Sequence, residues 1–137
     1  MSYIDIAAAQ LEIDEGRRKL AYVDTVGKVT IGVGFNLTDV GLWDDEIDYI
    51  LKNRVNQAGV DAAVIFNFSD EISDQRKAVL VNMAYNLGHE KLSGFHTLIA
   101  CVAALDWNGA ADAMLNSHWA AQVGARATRL AQHMRDG

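Results

Sequence analysis

One short stretch interrupts a chain whose hydrophobic spacing is otherwise helical. Val29, Ile31, Val33 and Phe35 alternate with Lys28, Thr30, Gly32 and Gly34, the two-residue period of a strand with one apolar face. Asp24-Thr25-Val26-Gly27 has the composition of a turn, so Leu20 to Phe35 is expected to form a β-hairpin. Thr30, Gly32 and Gly34 leave the other face of the strand open, with room for something to approach the backbone.

Helical patterns flank this hairpin. Ser2-Tyr3-Ile4-Asp5 has the form of a capping box, and the helix it starts passes through Ala7, Ala8 and Leu11 to stop at Gly16. From Asp44 a stripe of Ile47, Ile50, Leu51, Val55, Ala58, Ala62 and Ile65 predicts one long helix to about Phe66, weakened midway by Gly59. Ser73 caps the next helix, which Gly88 ends. It is apolar on nearly every side through Val79, Leu80, Val81, Met83, Ala84, Tyr85 and Leu87, as expected of the buried centre of a bundle. Further helices are expected over Phe95 to Leu105, Trp107 to Leu115 and Val123 to Met134. The predicted class is α+β, a small hairpin lobe joined by a long helix to a helical lobe.

With 137 residues, no proline and no linker-like segment, the chain is expected to be one domain over 1–137. Its lobes are predicted as 12–43 for the hairpin and 44–66 for the connecting helix, with 1–11 and 67–137 forming the helical lobe. The longest uncharged apolar runs are well below the roughly 18 residues that span a bilayer, so no stable membrane insertion is expected. Cys101 is the sole cysteine, so no internal disulfide is needed, and its apolar neighbours suggest a core thiol. The net charge of -6 argues against nucleic acid as partner. The four histidines are scattered without ligand spacing, so neither a metal nor another cofactor is expected. Residues 1–68 hold 11 acids and 6 bases. Asp39, Asp44, Asp45, Glu46 and Asp48 supply much of that excess, which reads as a solvated first helical turn.

Two carboxylates stand out by position. Glu15 ends the first helix, where unpaired carbonyls disfavour the ionised form, the condition a general acid needs near neutral pH. Asp24 opens the hairpin turn, nearer water and backbone amides, and is expected to stay ionised as a base. Carboxyls whose surroundings push their pKa values apart suit glycosidic-bond cleavage. With 18 acids in the chain, an isolated pair of this kind reads equally well as surface carboxylates.

The flanks narrow the choice. Asp14-Glu15-Gly16, Tyr22-Val23-Asp24-Thr25 and Thr30-Ile31-Gly32-Val33-Gly34 together resemble the phage-type lysozymes, the endolysins of the T-even phages and their relatives. Glu15, Asp24 and Thr30 reproduce that family's spacing of Glu, eight residues, Asp or Cys, five residues, Thr. The resemblance extends through Val60-Asp61-Ala62-Ala63-Val64, Asn82 to Gly88, Ser93-Gly94-Phe95, Trp107, Ser117-His118-Trp119, Gln122 and Arg126 to Arg129.

This resemblance implies a lysozyme-like fold and a muramidase. Glu15 would protonate the leaving oxygen between N-acetylmuramic acid and N-acetylglucosamine, while Asp24 and Thr30 would hold the attacking water, with inversion. Tyr85, Asn86, Ser117 and Arg126 are the implied substrate contacts, and Arg126 would face the glutamate and oppose its pKa rise. For Asn82 and Asn86, core amides satisfied by backbone are an equal reading, as is a core aromatic for Tyr85. The implied partner is bacterial peptidoglycan, acted on by a monomer held in the host cytoplasm until a holin-type pore releases it to the wall. Three features depart from the family. Phe35 stands where a structural His is common, only seven residues separate Asn36 from Asp44, and the chain is acidic where many relatives are basic. A lytic transglycosylase and a catalytically silent wall-binding module are the rival readings.

Overall fold

The computed structural model describes all residues, 1–137, as an α+β chain of eight helices and one small antiparallel sheet. The chain divides into two compact units, Met1–Tyr49 and Ile50–Gly137.

The first unit begins with α1 (Tyr3–Glu15). Its start follows from local chemistry. Ser2 Oγ accepts from the Asp5 amide at 3.2 Å, and Asp5 Oδ2 accepts from the Ser2 amide at 3.0 Å. Gly16 ends it at φ 75°, its amide donating to the Glu12 carbonyl. The sheet has the order β1 (Arg18–Val23), β2 (Val29–Gly32), β3 (Phe35–Asn36). Val23 faces Val29, and Tyr22, Thr30 and Asn36 stand in one row across it.

The expected single strand through Phe35 is corrected here. Gly32 and Gly34 both take φ +67°, so the chain reverses between them and Phe35 pairs back onto Ile31. The expected burial is also inverted. Val29 and Phe35 are exposed, whereas Thr30 is 4% exposed. Gly32 and Gly34 do admit close neighbours, and both come from the chain itself: the Phe35 ring and the Glu15 carboxyl.

α2 (Asp44–Phe66) starts in the first unit and continues into the second, unbroken through Gly59. Of its apolar stripe only Ala58 and Ala62 are buried and Ile65 is half-buried, while Ile47, Ile50, Leu51 and Val55 remain exposed; Phe66, at the helix end, is buried as well. The rest of the second unit is α3 (Asp74–Leu87), α4 (His89–Ser93), α5 (His96–Ala103), α6 (Trp107–Leu115), α7 (His118–Val123) and α8 (Ala125–Asp136). Ser73 caps α3 through the Arg76 amide, as its position predicts.

α3 is buried along one face, at Val79, Leu80, Met83 and Ala84, and not on every side. Tyr85 and Asn86 point outward. The expected helix Val123 to Met134 starts instead at Ala125, because Gly124 at φ +59° breaks the run and Val123 is the last residue of α7, a helix the sequence reading did not separate. Leu80, Met83, Leu92, Leu98, Val102, Met114, Trp119 and Met134 fill the core of this unit. Cys101 packs half-buried against it. No helix is long and apolar enough to cross a membrane.

Candidate active site

Glu15, Asp24 and Thr30 all belong to the first unit. Glu15 is the last residue of α1, with its side chain exposed. Its carboxyl lies against Gly34: a Cβ on that glycine would stand 2.8 Å from Glu15 Cδ and Oε2. The positive φ and the missing side chain therefore serve two ends at Gly34, reversing the strand and seating a carboxyl group on bare backbone.

Asp24 and Thr30 are both tied to the backbone of Lys28, through its amide and its carbonyl. Asp24 Oδ1 accepts from the Lys28 amide at 2.8 Å and from the Val26 amide at 3.0 Å. The Lys28 carbonyl accepts from the Asp24 amide at 2.9 Å and from the Thr30 hydroxyl at 3.0 Å. This is why the sequence places Asp at the first turn position: its short side chain caps the turn that follows. Two consequences follow for chemistry. Asp24 Oδ2 carries no protein donor, and the Thr30 hydroxyl, its proton committed to a carbonyl, keeps lone pairs as acceptors.

Tyr85, Asn86, Ser117 and Arg126 belong to the second unit. Tyr85 is a half-exposed ring bordering two hollows. One, of about 270 Å³, is lined by Arg54, Gln57 and Asp61; the other, of about 530 Å³, by Leu51, Val55, Val81 and Arg126. Asn86 Oδ1 accepts from the indole N–H of buried Trp119 at 2.9 Å, so its amide NH2 is the part left to face outward. Arg126 is half-buried and donates through Nη2 and Nε to Asn82 Oδ1, at 2.6 and 3.2 Å. Both asparagine side-chain oxygens thus accept from side chains, and not from the backbone groups that one of the two sequence readings named. Ser117 lines a hollow of about 840 Å³ with Phe95, Asn116, His118 and Gln122. Its hydroxyl donates to the Met114 carbonyl at 2.7 Å and accepts from the Ala120 amide, capping α7.

Gly34, Lys28 and Asn82 hold candidate residues through contacts that spacing alone does not reveal. In the sequence Gly34 stands as open space on a strand and as part of a family run, with no sign of its glutamate neighbour, and the position of Asn82 left its arginine partner unreadable. A glutamate at a helix end, with an aspartate and a threonine bound to the backbone of one hairpin residue, is an arrangement suited to acid-assisted cleavage by water. Residues 12–135 match the family model described as phage lysozyme, and the chain belongs to that family.

Two relatives illustrate its range. The chain is 25% identical to a protein named probable T4-type lysozyme 2 from Dictyostelium discoideum, over 88% of each chain. It is 26% identical to the pre-baseplate central spike protein Gp5 of Enterobacteria phage T4, over 90% of this chain and 26% of that protein. The chain therefore spans about a quarter of the spike protein and most of the first relative.

Proposed function

We propose that the protein is a muramidase that hydrolyses the β-1,4 bond between N-acetylmuramic acid and N-acetylglucosamine in peptidoglycan. Glu15 donates its proton to the leaving oxygen. The attacking water gives one hydrogen bond to Asp24 Oδ2 and one to the Thr30 hydroxyl oxygen, which leaves a lone pair directed at the anomeric carbon. Asp24 takes the water's proton as the new bond forms, and the anomeric configuration inverts. Family membership supports the reaction class. The observation that most supports the assignment of roles is the backbone of Lys28, whose amide binds Asp24 and whose carbonyl binds Thr30, while the acceptor sites a water needs are spared.

The test is mass spectrometry of purified peptidoglycan digested by the natural protein and by Glu15→Gln. Reducing N-acetylmuramic ends from the natural protein alone support the reading. Anhydro ends would replace hydrolysis with transglycosylation. No soluble fragments on several wall types would leave a wall-binding module.

A further inference from the structure

The hairpin that carries Asp24 and Thr30 is held from outside its turn by an ion pair. Lys28 Nζ lies 3.2 Å from Asp39 Oδ1 and 3.1 Å from Oδ2. Asp39 is in turn held on β3, where Asn36 Nδ2 donates to Asp39 Oδ2 at 3.2 Å and the Asp39 amide donates to Asn36 Oδ1 at 2.9 Å. Asn36 is the residue directly across from Thr30 in the sheet. A closed ring results: Thr30 to Asn36 by strand pairing, Asn36 to Asp39, Asp39 to the Lys28 ammonium, and the Lys28 backbone back to Thr30 through its carbonyl and to Asp24 through its amide. A second tie, from the Val29 amide to Thr38 Oγ1 at 2.8 Å, runs parallel to it.

We infer that Lys28 and Asp39 are positioning residues for the reaction, clamping the turn so that Asp24 and Thr30 keep a fixed separation. This rests on the glycosidase reading above. Without the clamp, the Val29 bonds to Thr38 and Leu37 still hold the base of the hairpin, but nothing outside the hairpin holds Lys28 itself, and small changes of pitch there move Asp24 relative to Thr30. A half-exposed ion pair adds little to folding. A reacting geometry, however, is sensitive to shifts well under the size of an atom. Loss of the pair should therefore weigh more on turnover than on stability. Substituting the Lys28 side chain leaves its peptide group in place, so the two contributions separate cleanly.

The experiment uses the full chain and two readouts. Lys28→Met and Asp39→Asn should each lower kcat about three- to tenfold, with KM within about twofold of the natural value. The double variant should be no worse than either single one, and Lys28→Arg should restore turnover. Amide hydrogen exchange at Val26 and Lys28 should quicken in Lys28→Met, while Leu80 and Met83 exchange as before. Additive losses, or unchanged kcat together with unchanged exchange, would overturn the clamp. If the natural protein releases no reducing ends, the glycosidase reading falls and exchange alone decides: faster exchange at Val26 and Lys28 upholds the clamp, and unchanged exchange removes it.

Discussion

The Glu15 carboxyl rests on the backbone of Gly34, in the space that any other residue's Cβ would fill. The contact joins the last turn of α1 to the reversal between β2 and β3, so the proposed acid is placed by a helix end and a sheet end together. Gly34→Ala should strain the backbone at φ +67° and push the carboxyl aside. Gly41 serves as the control, being in the same unit at φ +72° with open space around its Cβ position. Both variants should lose about 1 kcal/mol of stability, the cost of a left-handed alanine. Only Gly34→Ala should also lose about a hundredfold in kcat. Denaturant melts and peptidoglycan turnover, measured side by side, distinguish them; equal activity in the two variants would remove the seat from the mechanism.

Thr30 is the only polar residue counted among the buried ones, and its hydroxyl is committed to the Lys28 carbonyl. Thr30→Val keeps the shape and removes the hydroxyl. The carbonyl still accepts from the Asp24 amide, so the stability loss should be small, about 1 kcal/mol. Turnover should fall by about tenfold or more, because the water loses one of its two acceptors. Thr30→Ser should retain most activity. Thermal melts and initial rates check both halves, and a fully active valine variant would free Thr30 of any part in holding water.

What could be read from the sequence was what neighbouring residues decide. Ser2, Ser73, Gly16 and Gly88 mark helix ends because caps are made within a turn of the chain. The Glu15, Asp24 and Thr30 spacing picked out three residues that all lie in the first unit. The end of β2 was not readable, because Val33 and Phe35 continue the alternation past the point where two glycines of positive φ turn the chain back. Gly124 hid a helix break in the same manner. Partners distant in sequence were out of reach altogether. Arg126 meets Asn82 across 44 positions, and Lys28 meets Asp39 across 11, each pairing created only once the intervening segments have folded.

The capping box at the head of α1 has a pH signature. Hydrogen bonds from the Ser2 side chain, and then from its backbone amide, hold the Asp5 carboxyl below its ordinary 3.8. A depressed folded-state value means that this contribution to the folded state is fully present above the ordinary carboxylate pKa. It fades as the pH falls through the lower, folded value. Ser2→Ala should therefore move the Asp5 titration up toward 3.8, and should fray the first turn of α1 at neutral pH. A side-chain carboxyl titration by NMR reads the first effect and amide exchange at Ile6 the second. An Asp5 titration unchanged by Ser2→Ala would show that the box does not persist in solution.

Asn86 is exposed, yet its side-chain oxygen is the only partner of a buried indole N–H, since Trp119 is 2% exposed. A surface substitution should here behave like a core one. Asn86→Ala leaves that N–H unpaired and should cost about 1–3 kcal/mol. Removing the donor as well, in Asn86→Ala with Trp119→Phe, should cost less than the sum of the two single changes, because no buried donor is left stranded. If the outward NH2 of Asn86 also contacts the saccharide or its peptide, KM should rise in Asn86→Ala and stay raised in the double variant, although part of the stability has returned. A thermodynamic cycle by chemical denaturation and a KM series on soluble peptidoglycan fragments separate the two roles. A KM that recovers together with stability would confine Asn86 to supporting Trp119, and substrate contact would then have to come from Tyr85 and its neighbours.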